Sequence, residues 1–458
     1  MRRKAEEFLK GWYDQPQKKP LILRGARQVG KSTLVRNFCR NQGIRLLEIN
    51  LEKTPLPSME VDRIDPTCIL QEIELEANQV FRQDEQCLVF IDEIQAQPKA
   101  IRALRYLYED LPHVSVIAAG SLLEVILSSE SISFPVGRVE FYYLGPMSFS
   151  EFLEASGKDS LLNAFNRESL QELQGAHLQS HLFDMYKSYL AVGGMPEAVK
   201  VFFSSGSFAD VRRVQQSLIE TYRADFPKYG RRTDIHLLDQ VFTKIPPMVG
   251  RKMKYVEIAR EQRSRDIKGA LDLLLKAQVV SSAHHTNATQ PPIEAQKDEK
   301  IFKIFYLDVG LWNCAMKTDI KSILAGDDLV TTGAMAEQFV AQHLMYLNNG
   351  TSSPSLYYWL KDKTSSKAEV DFVLEWQSKI FPIEVKAGKA ARLKSLQWFM
   401  YEKKSPLGVR ISKTPLGCGL LRAKLSDGQR AVEVEGQLLS LPHYYIERLP
   451  DLLKISLG

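Results

Sequence analysis

Gly25-Ala26-Arg27-Gln28-Val29-Gly30-Lys31-Ser32, followed by Thr33, is a segment suited to hold phosphate. Gly25 and Gly30 admit backbone angles that most residues avoid, so successive N–H groups can turn into one cavity. Lys31 brings a point charge to the β- and γ-phosphates, and the Ser32 hydroxyl is a ligand for Mg²⁺. A second group, Asp92-Glu93, ends the apolar run Cys87-Leu88-Val89-Phe90-Ile91. A carboxylate at the tip of a buried strand is costly unless it meets a cation or a polar site. Asp92 is therefore assigned to the Mg²⁺ shell, and Glu93 to orienting and deprotonating an attacking water. Together the two groups predict hydrolysis of ATP with Mg²⁺ rather than binding alone.

Two further residues are candidates for the same chemistry. Ser121 closes the run Val114–Ser121 and serves either as a sensor of the γ-phosphate or as the cap of a helix over 122–127. Arg138, beside Gly137, is either an arginine finger, in its own subunit or a neighbour's, or an ordinary surface arginine.

A second constellation lies far along the chain. Ile380-Phe381-Pro382-Ile383-Glu384-Val385-Lys386 reads as a strand, and residues two apart on a strand share a face, so Glu384 and Lys386 point together. Asp371, in the alternating segment Glu369–Leu374, can join them from the neighbouring strand. Two carboxylates and an ammonium in one place are costly without a metal ion or a phosphate substrate. Metal-dependent phosphodiester cleavage suits them. Asp371 and Glu384 would hold Mg²⁺, Lys386 would position the attacking water, and Glu337 from a helix would complete the metal shell. A ladder of surface salt bridges is the competing explanation.

These groups need elements to position them. Leu21-Ile22-Leu23 before the glycine loop is the short apolar run of a buried parallel strand, and Leu34, Val35 and Phe38 after it recur at helical spacing. Residues 147 to 230 are read as mostly helical, broken at Gly193-Gly194 and Pro196, where a hinge is expected. Between 250 and 306 a short helix opens at Tyr255, and a second, capped by Ser264, carries the stripe Ile267, Ala270, Leu271 and Leu274. A strand at Val279–Ser282, a polar tract, and a return strand at Ile301–Tyr306 complete the pattern of a winged helix-turn-helix. In it Arg263, Arg265 and Lys268 would face DNA or its phosphates. The polar stretch Asn348–Ser355 is read as a hairpin-type turn.

Gly25 to Ser32, Leu88 to Glu93, Gly120-Ser121 and Gly137-Arg138 together resemble the AAA-type P-loop ATPases. The likeness is to a prokaryotic branch that carries a C-terminal domain of unassigned function, and Tyr189–Ala198 resembles that branch's segment after the nucleotide core. The resemblance implies a P-loop core with a small helical lid. The group Glu337, Asp371, Glu384 and Lys386 resembles the PD-(D/E)xK nuclease superfamily, whose core is a mixed sheet flanked by helices; Val370 stands where that pattern has proline. The expected fold is α/β: a parallel P-loop sheet over residues 1–147, a helical lid over 148–235, a winged helix over 236–310, and a restriction-endonuclease-like domain over 311–458.

Composition sets the outer bounds. The chain has 458 residues, 44% hydrophobic and 25% charged, enough for several cores and unlike a disordered or collagen-like chain. No stretch approaches the roughly 20 apolar residues of a membrane span. The start of the chain lacks the apolar core of a secretory signal, and the five cysteines are scattered, so a cytoplasmic, membrane-free location is expected. A formal charge of +5 is only mildly basic, leaving local clusters to argue for nucleic acid, DNA more than RNA. The clusters are Arg212, Arg213, Arg223, Lys228, Arg231 and Arg232, and then Lys386, Lys389, Arg392, Lys394, Lys403 and Lys404 with Trp398 and Phe399 interleaved. Each has a plainer explanation, a solvated helix face for the first and an amphipathic helix with its aromatics in the core for the second. Completion of one site by a neighbour's Arg138 would make the protein a homo-oligomer.

Overall fold

The structure, a computed structural model, describes residues 1–458 except 62, 83, 122, 124–134, 136, 168–169, 229–234, 259–260, 326–332, 362–367, 389–392, 427–430 and 458. Strands β1 (Leu21–Arg24), β2 (Arg45–Asn50), β3 (Cys87–Asp92), β4 (Val116–Ala119) and β5 (Glu140–Tyr143) form one parallel sheet in the order β2-β3-β4-β1-β5. Alternate residues serve opposite faces. Leu21, Leu23, Leu88, Phe90, Ile117 and Ala119 enter one core, while Ile22, Val89, Ile91, Val116 and Ala118 enter the other. Burial on both faces is why β1, β3 and β4 read as apolar runs. Because the strands are parallel, the loops after β1, β3 and β4 emerge on the same side of the sheet, where ligands of open α/β sheets bind.

The segment after β5 is helical, as its periodicity predicts: Phe149–Ala155, Asp159–Phe165, Ala176–Val192, Pro196–Ser205 and Phe208–Ala224. Three helices come next, Ile235–Lys244, Tyr255–Ile258 and Ser264–Lys276, and then the antiparallel pair β6 (Val280–Thr286) and β7 (Lys297–Tyr306). The stripe Ile267, Ala270, Leu271 and Leu274 is buried. Ser264 is not the cap expected of it: Arg263 holds that position and Ser264 is already helical.

This winged module is built into the C-terminal half of the chain. Strand β6 pairs in parallel with β8 (Leu356–Leu360), giving a four-stranded sheet β7-β6-β8-β9 whose last member is β9 (Glu369–Val370). One residue later β10 (Phe372–Trp376) joins a different sheet, β10-β11-β12-β14-β13, with β11 (Lys379–Val385), β12 (Leu407–Ile411), β13 (Gly417–Ser426) and β14 (Ala431–Leu441). Asp371 is the bend between the two sheets. The segment Asn348–Ser355 is not a hairpin turn, because it joins the helix Gly333–Leu344 to β8 rather than one strand to its antiparallel neighbour. Instead its Gly350 carbonyl accepts from the Tyr143 amide at 2.7 Å, extending the edge of the first sheet. One apolar cluster runs from Ala5 through the lid and the winged module to Leu453, so the expected domains share a continuous core. No helix among the described residues is long and apolar enough to cross a membrane.

Candidate functional site: a phosphate loop and a buried acid cluster

At the end of β1 the chain turns through positive φ at Gly25, Gln28 and Gly30 before the helix Lys31–Gln42 begins. A Cβ at Gly25 would collide with the Leu144 carbonyl, so only glycine fits between β1 and the segment after β5. The loop curls over Lys31, whose ammonium donates to the carbonyls of Gly25 at 2.8 Å and Ala26 at 2.9 Å. Ser32 Oγ donates to Asp92 Oδ2 at 2.7 Å, and Thr33 next to it is exposed. Burial pushes the Asp92 carboxyl above its ordinary value, with the Ser32 hydrogen bond pulling the other way. A hydroxyl and a carboxylate in contact at the mouth of a phosphate loop are the hard oxygen donors that Mg²⁺ takes, so the residues present fit that ion. Glu93 follows with φ 52°, a left-handed turn that separates its side chain from that of Asp92, and it accepts a hydrogen bond from the Gln95 amide.

Three features of this site escape a reading of the sequence. Arg27, expected to contribute its backbone, also uses its guanidinium to bridge two elements: Nη1 meets Asp225 Oδ1 at 2.6 Å and Nε donates to Ser121 Oγ at 3.2 Å. The Tyr222 hydroxyl donates to the Arg27 carbonyl at 2.8 Å, so the lid helix Phe208–Ala224 grips the loop twice. Arg3, seven per cent exposed, donates to the carbonyls of Val29 at 2.8 Å and Gly145 at 2.8 Å and pairs with Glu151 at 3.0 Å. Gln95 packs so closely on Gly120 that a Cβ there would lie 2.6 Å from its amide oxygen. No local periodicity signals these contacts, since each joins residues that are distant in sequence or in different elements. Ser121 is buried and engaged by Arg27, while the helix it is expected to cap falls almost wholly outside the described residues.

Arg138 cannot serve its own subunit's site. It precedes β5, whose Glu140 is level with Leu21 and whose Tyr143 is level with Arg24, so it lies at the end of the sheet opposite the phosphate loop. Six residues at about 3.3 Å each place it roughly 20 Å away. There it pairs with Glu109 at 2.7 Å on the half-exposed surface. Any role in hydrolysis is on a neighbouring copy.

Gly193-Gly194, expected as a hinge, is a packed joint. The Gly194 amide donates to Asp308 Oδ2 at 2.6 Å, and its carbonyl accepts from Met147 N at 2.6 Å. A Cβ at Gly193 would strike Asp308, and one at Gly194 would strike the Met147 carbonyl. Asp308, fully buried, has its carboxyl raised to about 6 by burial, against the pull of its hydrogen bonds from Gly194, Leu311 and Gln342. Gln342 also donates to Tyr189 Oη at 2.9 Å, and Tyr189 donates to the Met147 carbonyl at 2.6 Å. The helix Gly333–Leu344 is thereby tied to the lid.

The same helix carries Glu337 into the second constellation. Lys386 Nζ lies 2.5 Å from Glu384 Oε1 and 4.0 Å from Asp371 Oδ2, which also accepts from the Val385 amide at 2.8 Å. Another lysine, which no sequence motif marks, stands among the acids. Lys303 of β7 is one per cent exposed, with its ammonium 3.6 Å from Glu337, 4.0 Å from Asp371 Oδ1, and against Glu369. Burial works to discharge Lys303, but the charges of Glu337, Asp371 and Glu369 overcome it and raise its pKa. The carboxyls of Glu337, Asp371 and Glu384 are raised, each chiefly by burial.

The donor set answers whether Mg²⁺ belongs here. Each of the three expected ligands already faces an ammonium, Asp371 on both oxygens. No three His, Cys, Asp or Glu side chains among the described residues are grouped to hold a metal ion. As placed, the residues do not fit one.

The basic clusters divide. Arg213 pairs with Asp210, Arg223 with Glu220 and Asp239, Lys228 with Glu52, and Arg212 donates to the Thr318 carbonyl, so these four side chains have partners within the molecule. Arg231, Arg232, Lys389 and Arg392 lie outside the described residues. Trp398 and Phe399 are buried core residues rather than stacking platforms, leaving Lys394 and Lys404 exposed on that helix and Lys403 partly so. Arg263, Arg265 and Lys268 are exposed at the start of the helix Ser264–Lys276.

Residues 17–153 match the model of an AAA domain, which supports reading the first third of the chain as an AAA-type P-loop core. Residues 183–322 match a domain of unknown function, DUF8612, and residues 332–436 match another, DUF4143. The first of these crosses from lid into winged module without a break at 235. No curated protein matches the chain. Among solved structures, one described as the structure of C. elegans PCH-2 is similar at 17% identity and a TM-score of 0.26. The match covers 41% of this chain and 56% of that one, so this chain spans little more than half of that structure's length.

Proposed function

We propose that this protein hydrolyses ATP with Mg²⁺ at the N-terminal site and uses the nucleotide state to govern nucleic-acid binding by its C-terminal half. The convergence of Lys31, Ser32, Asp92 and Glu93 at one end of a parallel sheet carries the reading. The loop amides and Lys31 hold the β- and γ-phosphates, releasing Lys31 from the carbonyls that now accept from it. Ser32 and Asp92 hold Mg²⁺, which when bound offsets charge developing on the transferred phosphoryl group. Glu93, freed from Gln95, takes the proton of the attacking water. Arg27 and Ser121 sit where a change at the γ-phosphate is felt, and Asp225 passes it to the lid.

For the C-terminal half we favour a nuclease-like PD-(D/E)xK domain that grips nucleic acid, DNA rather than RNA, without cutting it. Exposed Arg263, Arg265 and Lys268 on the winged module support the grip. Lys303 in the acid cluster argues against a loaded cleavage site. The test measures fluorescence anisotropy of a labelled DNA duplex with the full chain in ATP, in ADP and without nucleotide, beside ATP turnover of wild type and Lys31→Ala. Turnover lost in Lys31→Ala, with DNA affinity that tracks the nucleotide, is expected. Turnover unchanged by Lys31→Ala sinks the ATPase reading; DNA affinity indifferent to nucleotide sinks the coupling. Cleavage in Mg²⁺ that Asp371→Asn abolishes would establish the cutting enzyme instead.

A further inference from the structure

The acid cluster joins parts of the chain that no single domain contains. Glu337 comes from the helix Gly333–Leu344, Glu369 from β9, Asp371 from the bend after it, and Glu384 from β11; Lys303 is delivered by the hairpin of the winged module. Four carboxyl groups and two ammoniums, Lys303 and Lys386, face one another, so acidic groups outnumber basic ones even with both lysines in place. Glu337 Oε2 and Glu384 Oε2 are buried without a hydrogen-bond partner. Carboxylate oxygens left so are expensive; burial raises both carboxyls towards their neutral forms, and a cation placed among them is the other remedy.

Lys303 supplies only part of that remedy. Its ammonium rests on Glu369, sits 5.1 Å from the centre of the Tyr358 ring, and stands 3.6 Å from Glu337 Oε2, beyond hydrogen-bonding distance but on the side where that oxygen needs a charge. At one per cent exposure it is out of reach of a substrate. It is therefore neither a phosphate-binding lysine nor a surface salt bridge. Its charge stands between Glu337 and Asp371, the two acids expected to share a divalent ion.

We propose that Lys303 is an internal substitute for a divalent cation: the winged module's hairpin inserts its ammonium among Glu337, Glu369 and Asp371 and so keeps the C-terminal acid cluster free of metal. A metal site would then emerge only if Lys303 is withdrawn or replaced. The inference holds whether or not the N-terminal site hydrolyses ATP, and its test contains no nucleotide.

The probe is Mn²⁺, titrated into the full chain without nucleotide, with free ion read by electron paramagnetic resonance. Wild type, Asp371→Asn, Lys303→Met and the double variant are compared, so that binding near Asp92, common to all four, cancels. Wild type and Asp371→Asn should bind equal numbers of ions. Lys303→Met should gain one ion per chain, lost again in the double variant. An ion bound by wild type and lost in Asp371→Asn overturns the proposal, as does a folded Lys303→Met that gains none. If Lys303→Met is unfolded in chelator, recovery of its fold on adding Mn²⁺ supports the substitution, and failure to recover counts against it.

Discussion

Replacing Arg27 by Met tests whether the phosphate loop and the lid are one mechanical unit. Its guanidinium, one-fifth exposed, meets Asp225, six per cent exposed, at 2.6 Å. Burial raises the Asp225 carboxyl while Arg27 pulls it down, so loss of the arginine strands a charge that has little water. Breaking a fully buried pair costs about 3–5 kcal/mol, and an exposed pair contributes about 0–1 kcal/mol. A pair open on one side falls between them, at about 2 kcal/mol, or roughly a 30-fold change in a local opening equilibrium. The readout is native-state amide exchange in the last turn of the helix Phe208–Ala224, which Asp225 terminates. Arg27→Met and Asp225→Asn should each speed exchange there by about that factor. The double variant should fall short of the sum by at least 1 kcal/mol, because the second substitution removes a partner already lost. Exchange within threefold of wild type in both single variants, or costs that simply add, would refute the clamp.

Three other outcomes rest on the same geometry. Glu93→Gln should keep ATP binding, measured by calorimetry, while turnover falls by about 100-fold or more; equal turnover would remove Glu93 from the chemistry. Gly194→Ala drives a methyl into the Met147 carbonyl and to 2.7 Å from Tyr189 Oη. It should lower the urea midpoint by the equivalent of about 2 kcal/mol or more, whereas Gly11→Ala, with open space around it, should not. Arg138→Ala should slow turnover only at protein concentrations where copies associate; the same loss at every dilution contradicts service to a neighbour.

Glu447 gives a pH test. Burial would raise its carboxyl, but Lys4, His343 and the Ser150 hydrogen bonds outweigh burial and hold it at about 2. His343 Nε2 accepts from the Phe149 amide at 3.1 Å and burial lowers its pKa, so the imidazole is neutral near pH 7 and Lys4 is the working cation. A depressed carboxyl stabilises the fold above its unfolded value near 4.5 and loses that contribution as pH falls towards 2, here about 3 kcal/mol. Glu447→Gln should flatten the fall in urea midpoint between pH 4.5 and 2; an unchanged slope would show that Glu447 does not carry it.

The nucleotide site is legible in the sequence because its parts are local. A glycine loop must follow a strand and open a helix, and a carboxylate pair must end a buried strand, so Gly25–Thr33 and Asp92-Glu93 announce themselves within a dozen residues each. Parallel pairing then brings them together at one end of the sheet. The pairing of Glu384 with Lys386 is readable for a similar reason, since a strand's two-residue period puts both on one face. The short strand β5 and the ribbon β13–β14 are not; much of the ribbon's length is exposed, so it shows little of the buried alternation that marks a strand.

Tertiary structure alone decided the rest. Arg27 reaches Asp225 across 198 positions, and Arg3 reaches Glu151 across 148. The Gly193-Gly194 pair reads as a flexible break until Asp308 and Met147 are seen to fill the space its missing side chains leave. Lys303 sits in the apolar run Ile301–Tyr306 with no local reason to be charged, and only the folding of a winged hairpin against a distant sheet shows which acids it answers. A residue's chemical type is set by the sequence, but the free energy of burying its charge depends on partners that only the closed fold brings within 4 Å.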